Sequence, residues 1–350
     1  MLGNWITTNA PFGSGDDSSI TRLAPRTITC LQRLLQSWAW RPRIVRASQP
    51  VNVRSENGEH GVFEGPIVSP TCKSTVRAPM THDTDYVLGT HNEEIARLAL
   101  QHQVWRPHML DAWARAGMTR GSRVVDFGAG PGYATCDSAE IVGSGGQVTA
   151  IERSPYFLEF ARQEIKRRNL SWIHFVESDL MADGLSVAEF DIAWCRWVAS
   201  FVSSPPLLLK RIAASLCAGG RAVLHEYQDY STWRMIPDSP SLTEFVGKVM
   251  VSWRNAGGEP NIVARLLPLM SDEGLRVISV KPLIFAARPT DFVWQWPASF
   301  LVSNSQRLVE VGLMQRADAD RLQSDFRESA HNPNAVMMTP LVLEIIAEKQ

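Results

Sequence analysis

The sequence has few cysteines, almost no net charge and no long apolar run, and each shortage excludes a class of protein. Five cysteines stand far apart with no CxxC pair, so neither a zinc site nor a disulfide framework is expected. The formal net charge of -1 argues against a nucleic-acid binder with a broad basic surface. No apolar run approaches the roughly 20 residues of a membrane-spanning helix. The odd number and wide spacing of the cysteines indicate a reducing compartment, and we expect a cytoplasmic protein.

The 350 residues include 45% hydrophobic and 20% charged residues, enough for one large core or one core with a smaller subdomain. Residues 1–60 differ, with seven arginines against four acids and many Ser, Thr and Pro. We interpret residues 1–80 as a mostly disordered extension that holds one short amphipathic helix, TITCLQRLLQSWAW. A mitochondrial transit peptide, a flexible extension and a start codon placed too early remain open for this segment, whereas a secretory signal is not expected.

Residues 81–350 are predicted to form one domain. In GTHNEEIARLALQHQVW, Thr90 and Glu93 form a capping box at a helix start. Beyond it, segments of helical character such as PYFLEFARQEIKRR and PPLLLKRIAASL separate seven apolar runs of strand length. These runs are SRVVDF, QVTAIE, WIHFVES, FDIAWC, GRAVLHEY, LRVISV and LVLEIIA.

Strands that alternate with helices imply an α/β fold, a Rossmann-like, doubly wound and mostly parallel sheet. The last two strands are separated by a long stretch, residues 283–336, which is rich in Trp, Pro and helical pattern. We expect this stretch to be a helical cap inserted before the final strand.

The stretch VVDFGAGPGYAT lies where the first strand turns into a helix, the place where ligands bind in a doubly wound sheet. Gly128, Gly130 and Gly132 allow close approach of the backbone to a ligand. The dinucleotide pattern G-x-G-x-x-G is not met, because Tyr133 or Thr135 stands at its third position. Asp126 precedes the loop, and its carboxylate would repel a pyrophosphate but attract an ammonium or sulfonium group. The pattern therefore favours a positively charged ligand without phosphate, and S-adenosylmethionine fits this description.

Acids at the ends of the next two strands agree with this ligand. Glu152 follows Gly132 by 20 residues, where a carboxylate can accept hydrogen bonds from ribose hydroxyls. Asp179 ends the third strand and can accept a hydrogen bond from an adenine amino group, with Leu180 beside the ring. Each motif alone has a structural alternative, a tight turn or a solvated strand end.

Taken together, these motifs resemble the class I S-adenosylmethionine-dependent methyltransferases. Asp126–Gly132 match the family's glycine motif, Glu152 and Asp179 its ribose and adenine acids, and Asp191–Arg196 its fourth-strand motif. The resemblance covers residues 85–230 best and implies a seven-stranded sheet whose last strand is antiparallel. The cofactor-binding residues that it implies are Asp126, Gly128, Gly130, Gly132, Tyr133, Glu152, Arg153, Asp179, Leu180, Cys195 and Arg196.

Candidate acceptor-binding residues follow the fifth strand, in LHEYQDYSTW. His225 is a candidate general base, or a strand-end histidine satisfied by the backbone. Strand alternation places His225 and Tyr227 on one face and Glu226 on the other.

Five further residues complete the predicted substrate site. Tyr86, Gln103 and Trp105 precede the glycine strand and either fold over the cofactor or pack on the sheet. Of Trp294 and Trp296 in the cap, we expect one to line the pocket and the other to anchor the cap.

The sequence thus predicts an enzyme that transfers a methyl group from S-adenosylmethionine to a small organic molecule, with no metal, nucleic-acid or membrane partner. A protein or nucleic-acid methyltransferase is an alternative, although no N-P-P-Y-like tetrapeptide follows the fourth strand. A catalytically silent S-adenosylmethionine-binding protein and, remotely, an NAD-dependent dehydrogenase are further alternatives. The acceptor and the oligomeric state are not predicted.

Overall fold

The computed structural model describes residues 92–350. The predicted extension of residues 1–80, Tyr86 and the capping residue Thr90 lie outside the described residues. The domain boundaries at residues 80 and 81 therefore stay predictions.

A seven-stranded sheet forms the centre of the fold, and each of the seven predicted strands contributes to it. Its order is β3-β2-β1-β4-β5-β10-β7. The strands are β1 Arg123–Phe127, β2 Gln147–Glu152, β3 Ile173–Glu177, β4 Phe190–Arg196, β5 Leu216–Asp229, β7 Leu275–Leu283 and β10 Leu341–Lys349. The first five run parallel, whereas β10 lies antiparallel between β5 and β7. The predicted fold class, with an antiparallel last strand, is confirmed.

Eight α-helices occur in residues 92–350. They are α1 Asn92–Arg115, α2 Tyr133–Val142, α3 Pro155–Arg168, α4 Pro205–Ser215, α5 Pro240–Asn255, α6 Val263–Asp272, α7 Gln295–Glu310 and α8 Arg316–His331. Three of them, α3, α4 and α5, begin at a Ser–Pro pair. In each pair the serine hydroxyl accepts a backbone N–H of the first turn, and proline takes a position where its missing N–H costs nothing.

The helical cap lies, as predicted, before the final strand, and it contains α7, α8 and two short strands, β8 Ala286–Ala287 and β9 Val336–Met338. An earlier segment also belongs to it. Strand β6 Arg234–Ile236 completes a three-stranded sheet of order β6-β9-β8, and α5 packs against α7 and α8. The cap therefore joins two chain segments that flank β7, because the apolar faces of α5, α7 and α8 share one core.

Within residues 92–350, no helix is long and apolar enough to cross a membrane. The same part of the chain contains no group of three His, Cys, Asp or Glu residues placed to hold a metal ion.

Candidate active site

A cavity of about 410 Å³ lies at the carboxyl ends of the parallel strands, between the sheet and the cap. Two sets of lining residues define it. We call the first set the glycine wall, which consists of Asp126, Gly128, Gly130, Glu152 and Asp179. The second set, the aromatic wall, is a group of rings in mutual contact: Trp197, Phe201, Tyr227, Tyr230, Trp233, Trp253, Trp296 and Phe300.

The three loop glycines all have positive φ, but different neighbours surround them. A Cβ on Gly128 would lie 2.5 Å from Val198 Cγ2, and one on Gly132 would lie 2.9 Å from Ala161 Cβ. A Cβ on Gly130 would meet no heavy atom within 4 Å. Gly128 and Gly130 line the cavity, whereas Gly132 lies outside the lining and faces α3, so its cofactor contact stays a prediction. Open space beside Gly130 is what a ligand close to the backbone requires.

Glu152 holds the glycine loop in place. Its carboxylate accepts backbone N–H groups from Gly130 at 2.8 Å, Arg153 at 2.9 Å and Ser154 at 2.8 Å. Burial raises the pKa of Glu152, an effect that these three hydrogen bonds oppose. Because a carboxylate offers about four acceptor positions, roughly one remains for a ligand in the cavity.

Asp126 is buried at the end of β1, with 3% of its surface exposed. Its Oδ2 accepts the hydroxyl of Thr135 at 2.6 Å. Burial raises the pKa of Asp126 to about 6, so the carboxylate still carries most of its charge at neutral pH. This charge faces the same cavity as the glycine loop, as the predicted contact with a cationic ligand requires.

Two further predicted cofactor residues form the rim of the glycine wall. Arg153 Nη1 lies 3.3 Å from Asp179 Oδ2, and Asp179 Oδ1 accepts the backbone N–H of Met181 at 2.7 Å. Both side chains are part exposed. Leu180 and Tyr133 also line the cavity.

Arg196 lines the cavity at the end of β4, and a buried network orients its guanidinium. Arg196 Nη2 lies 3.4 Å from His102 Nδ1, and His102 Nε2 lies 3.1 Å from Asp137 Oδ2. Since a guanidinium can only donate, Nδ1 must accept and Nε2 must carry the proton that is donated to Asp137. Desolvation lowers the pKa of His102, which agrees with a neutral ring.

The guanidinium of Arg196 also contacts the aromatic rings. Its Cζ lies 5.0 Å from the centroid of the Trp197 ring and 5.7 Å from that of Trp194. Burial lowers the pKa of Arg196 to about 10, so the group stays cationic at neutral pH. Its Nη1 has no hydrogen-bond partner among residues 92–350. Cys195, the preceding residue, is fully buried and does not line the cavity, and its cofactor contact stays a prediction.

His225, the predicted general base, does not reach the cavity. It is fully buried, its Nε2 lies 3.3 Å from Glu344 Oε2, and the rings of Trp105 and Trp194 pack against it. Burial lowers the pKa of His225 to about 4. The prediction placed this side chain towards the substrate, but the antiparallel neighbour β10 supplies Glu344 as its partner instead.

Glu226 has a structural role that the sequence analysis missed. Its Oε1 accepts the backbone N–H groups of Val198 at 2.8 Å and Ala199 at 2.9 Å, and its Oε2 accepts the Ser200 hydroxyl at 3.2 Å. Burial raises the pKa of Glu226 to about 7. The carboxylate thereby fixes the loop that follows β4 and carries Trp197. An acid inside an otherwise apolar strand end was the available signal.

The predicted substrate residues divide between the cavity and the core. Tyr227 and Trp296 line the cavity, and the Trp296 indole N–H donates to Gln101 Oε1 at 3.0 Å. Trp294 packs against Phe326 with ring centroids 5.2 Å apart and serves as the cap anchor.

Trp105 and Gln103 are also absent from the cavity lining. Trp105 is fully buried, with its ring 4.9 Å from that of Trp296, so it supports the aromatic wall from behind. Gln103 lies on the exposed face of α1. Most of the aromatic wall was not predicted from the sequence, including Tyr230, Trp233, Trp253 and Phe300.

Comparison with known proteins agrees with the geometry of the glycine wall. A family model described as a methyltransferase domain matches residues 125–224. The match supports a class I S-adenosylmethionine-dependent methyltransferase domain in this part of the chain. A demethylmenaquinone methyltransferase of Lactococcus lactis is 29% identical over 126 residues, which cover 36% of this chain and 49% of the relative.

A second curated relative and a solved structure are also similar to this chain. Aklanonic acid methyltransferase DauC of a Streptomyces species is 35% identical over 101 residues, which cover 29% of this chain and 46% of the relative. A solved structure of a putative methyltransferase from Bacillus halodurans has 13% identity and a TM-score of 0.47, covering 69% of this chain and 98% of that one. The chain spans about half the length of the curated relatives it matches.

The segment matched by the family model runs from β1 to β5 of this chain. It contains the whole glycine wall but only Trp197 and Phe201 of the aromatic wall. The similarity therefore concerns the half of the cavity beside the glycine loop, and the rest of the aromatic wall lies outside it.

Proposed function

We propose that this methyltransferase transfers the methyl group of S-adenosylmethionine to a small organic molecule that binds against the aromatic wall. The observation that carries this proposal is that one cavity of about 410 Å³ is bounded by both walls. Sites for small ligands commonly enclose about 300–1,000 Å³ and are lined mainly by apolar and aromatic side chains with a few polar groups.

The glycine wall supports binding of the cofactor. The open space beside Gly130 would accept part of the cofactor at the backbone. The remaining acceptor position of Glu152 suits a ribose hydroxyl, Asp179 an adenine amino group, and Asp126 a positive group of the methionine part. The bound cofactor would supply a methyl group activated by its positively charged sulfur.

The aromatic wall supports a small acceptor. Its rings come from the loop after β4, the end of β5 and the turn that follows it, α5 and α7, so a molecule between them would be enclosed by the sheet and the cap together. Enclosure holds the acceptor in line with the methyl group and excludes water, and positioning of this kind accounts for much of the acceleration in a displacement reaction.

The test measures S-adenosylhomocysteine formed by the purified full-length protein with S-adenosylmethionine and three acceptor pools: metabolites, proteins and total RNA. We expect product with the metabolite pool, and none with the matched Gly130→Val protein. Product formed only with the protein or RNA pool would overturn the small-molecule proposal. Absence of product with every pool, with S-adenosylmethionine bound, would instead favour a silent binding protein.

A further inference from the structure

The aromatic wall contains no side chain that is suited to remove a proton from an acceptor. Among the cavity-lining residues that the structure describes, there is no histidine, lysine or cysteine. The carboxylates that line the cavity all belong to the glycine wall. His225, the nearest candidate in the sequence, is buried behind the wall against Glu344. The described part of the cavity therefore suits an acceptor that arrives in its reactive form, without a proton to lose.

Three arginines line the cavity, and they differ in their partners. Arg97 is bonded to both carboxylate oxygens of Glu94, at 2.6 and 2.7 Å, and Arg153 is paired with Asp179. No carboxylate of the described residues lies within ion-pair distance of Arg196, although the charges of Asp126 and Asp137 act on it from farther away. Its Nη2 contacts the neutral His102 ring at 3.4 Å, and its Nη1 is buried without a hydrogen-bond partner among residues 92–350. Because an unpaired buried N–H is costly, Arg196 is the arginine of the cavity that has a donor left for an anionic ligand.

The rings around Arg196 determine the shape of that ligand. Trp197 is nearly parallel to Tyr227 and to Trp296, with an interplanar angle of 16° to each and centroids 5.7 and 6.0 Å away. The Arg196 guanidinium lies over the Trp197 ring. Flat surfaces of this kind favour a planar conjugated partner. A cationic partner, which aromatic rings also attract, would be repelled by the guanidinium.

We propose that the methyl acceptor is a planar conjugated molecule whose reacting group is an oxygen anion, a carboxylate, phenolate or enolate, and that Arg196 binds this oxygen. The inference rests on the proposed function. An oxygen lone pair forms the new O–C bond while the C–S bond breaks and its electron pair returns to sulfur. The anion and the sulfonium give a methyl ester or ether and a thioether, and no proton is transferred. His102 and Asp137 act as positioning residues for the guanidinium.

The experiment compares three naphthalene probes of similar shape with full-length protein saturated with S-adenosylhomocysteine, by calorimetry. The probes are a hydroxynaphthoate, the neutral hydroxynaphthamide and the cationic naphthylmethyl-trimethylammonium. We expect the naphthoate to bind at least about tenfold more tightly than the amide, the scale of a hydrogen bond to a charged group. In Arg196→Met, measured at concentrations of S-adenosylhomocysteine that saturate the variant, this ratio should fall to about one. Arg265→Met removes the same charge from an exposed site on α6 and should leave the ratio unchanged.

If the amide or the cationic probe binds the wild-type protein as tightly as the naphthoate or more tightly, the inference is overturned. This comparison uses the wild-type protein alone, so it does not depend on whether a variant folds. A large loss of S-adenosylhomocysteine affinity in Arg196→Met, with the probe ratio retained, would also overturn it, because the guanidinium would then serve the carboxylate of the cofactor. Failure of the wild-type protein to bind S-adenosylhomocysteine would refute the proposed function itself and is seen before any probe is added.

Discussion

Replacement of Gly130 by alanine tests whether the cofactor lies against the glycine loop. The φ angle of Gly130 is 56°, and a Cβ there would meet no protein atom within 4 Å. The left-handed backbone therefore costs an alanine about 1–2 kcal/mol of folding free energy, with no added clash inside the protein. The new methyl group would instead occupy cavity space. If the cofactor fills that space, overpacking should cost about 1–3 kcal/mol of binding free energy, which is about a 5- to 150-fold rise in Kd.

Gly312 provides a matched control for the backbone strain. Its φ is 74°, a Cβ there would also meet nothing within 4 Å, and it lies in the exposed turn between α7 and α8. Gly312→Ala should therefore lose a similar free energy of unfolding, about 1–2 kcal/mol, and keep the wild-type Kd.

The assay combines chemical denaturation with calorimetric titration of S-adenosylhomocysteine for both variants. Wild-type affinity in Gly130→Ala would show that no ligand atom lies beside this residue and would refute the assignment of the glycine wall. A comparable loss of affinity in Gly312→Ala would show that backbone strain, and not occupied space, weakens binding.

Three other predictions concern the buried carboxylates. Glu152→Ala should raise the Kd for S-adenosylhomocysteine about 10- to 150-fold, equivalent to about 1.5–3 kcal/mol for a hydrogen bond to a charged group, and an unchanged Kd would place the ribose elsewhere. The pKa of Asp126 is raised to about 6 by burial, so affinity for the positively charged S-adenosylmethionine should fall as pH drops from about 8 to about 5, while Asp126→Asn should lack this part of the dependence in the same titrations. Salt should screen part of this charge, so the rise in Kd caused by Asp126→Asn should be smaller at high salt than at low salt. An equal rise at both salt concentrations would show that Asp126 makes no direct charge contribution to binding. The folded-state pKa of Glu226 is about 7 against an ordinary value of 4.5, so the folded protein holds an extra proton between these values and its free energy of unfolding should fall as pH rises through this window. Denaturation of Glu226→Gln should show a weaker fall than the wild type, and identical pH profiles would contradict the assignment.

Local sequence patterns were sufficient to predict the strands and the half of the site beside the glycine loop. The apolar runs of strand length and the helical segments between them depend on neighbouring residues, so the sheet could be predicted without knowledge of distant contacts. Asp126, Glu152 and Asp179 each end a parallel strand, and the carboxyl ends of such strands meet at one edge of the sheet. Their proximity therefore follows from the fold class alone.

The acceptor half of the cavity was decided by contacts between segments far apart in the chain. His225 points into the core because β10 brings Glu344, 119 residues later, to its side, and strand alternation cannot show which face a later strand or helix will cover. The cap recruits α5 as well as α7, since their apolar faces are complementary only in three dimensions. The surroundings of Arg196 are also set by distant segments. Helices α1 and α2 supply the His102–Asp137 pair that orients the guanidinium, and their packing around the end of β4 buries its Nη1 without a hydrogen-bond partner among the described residues.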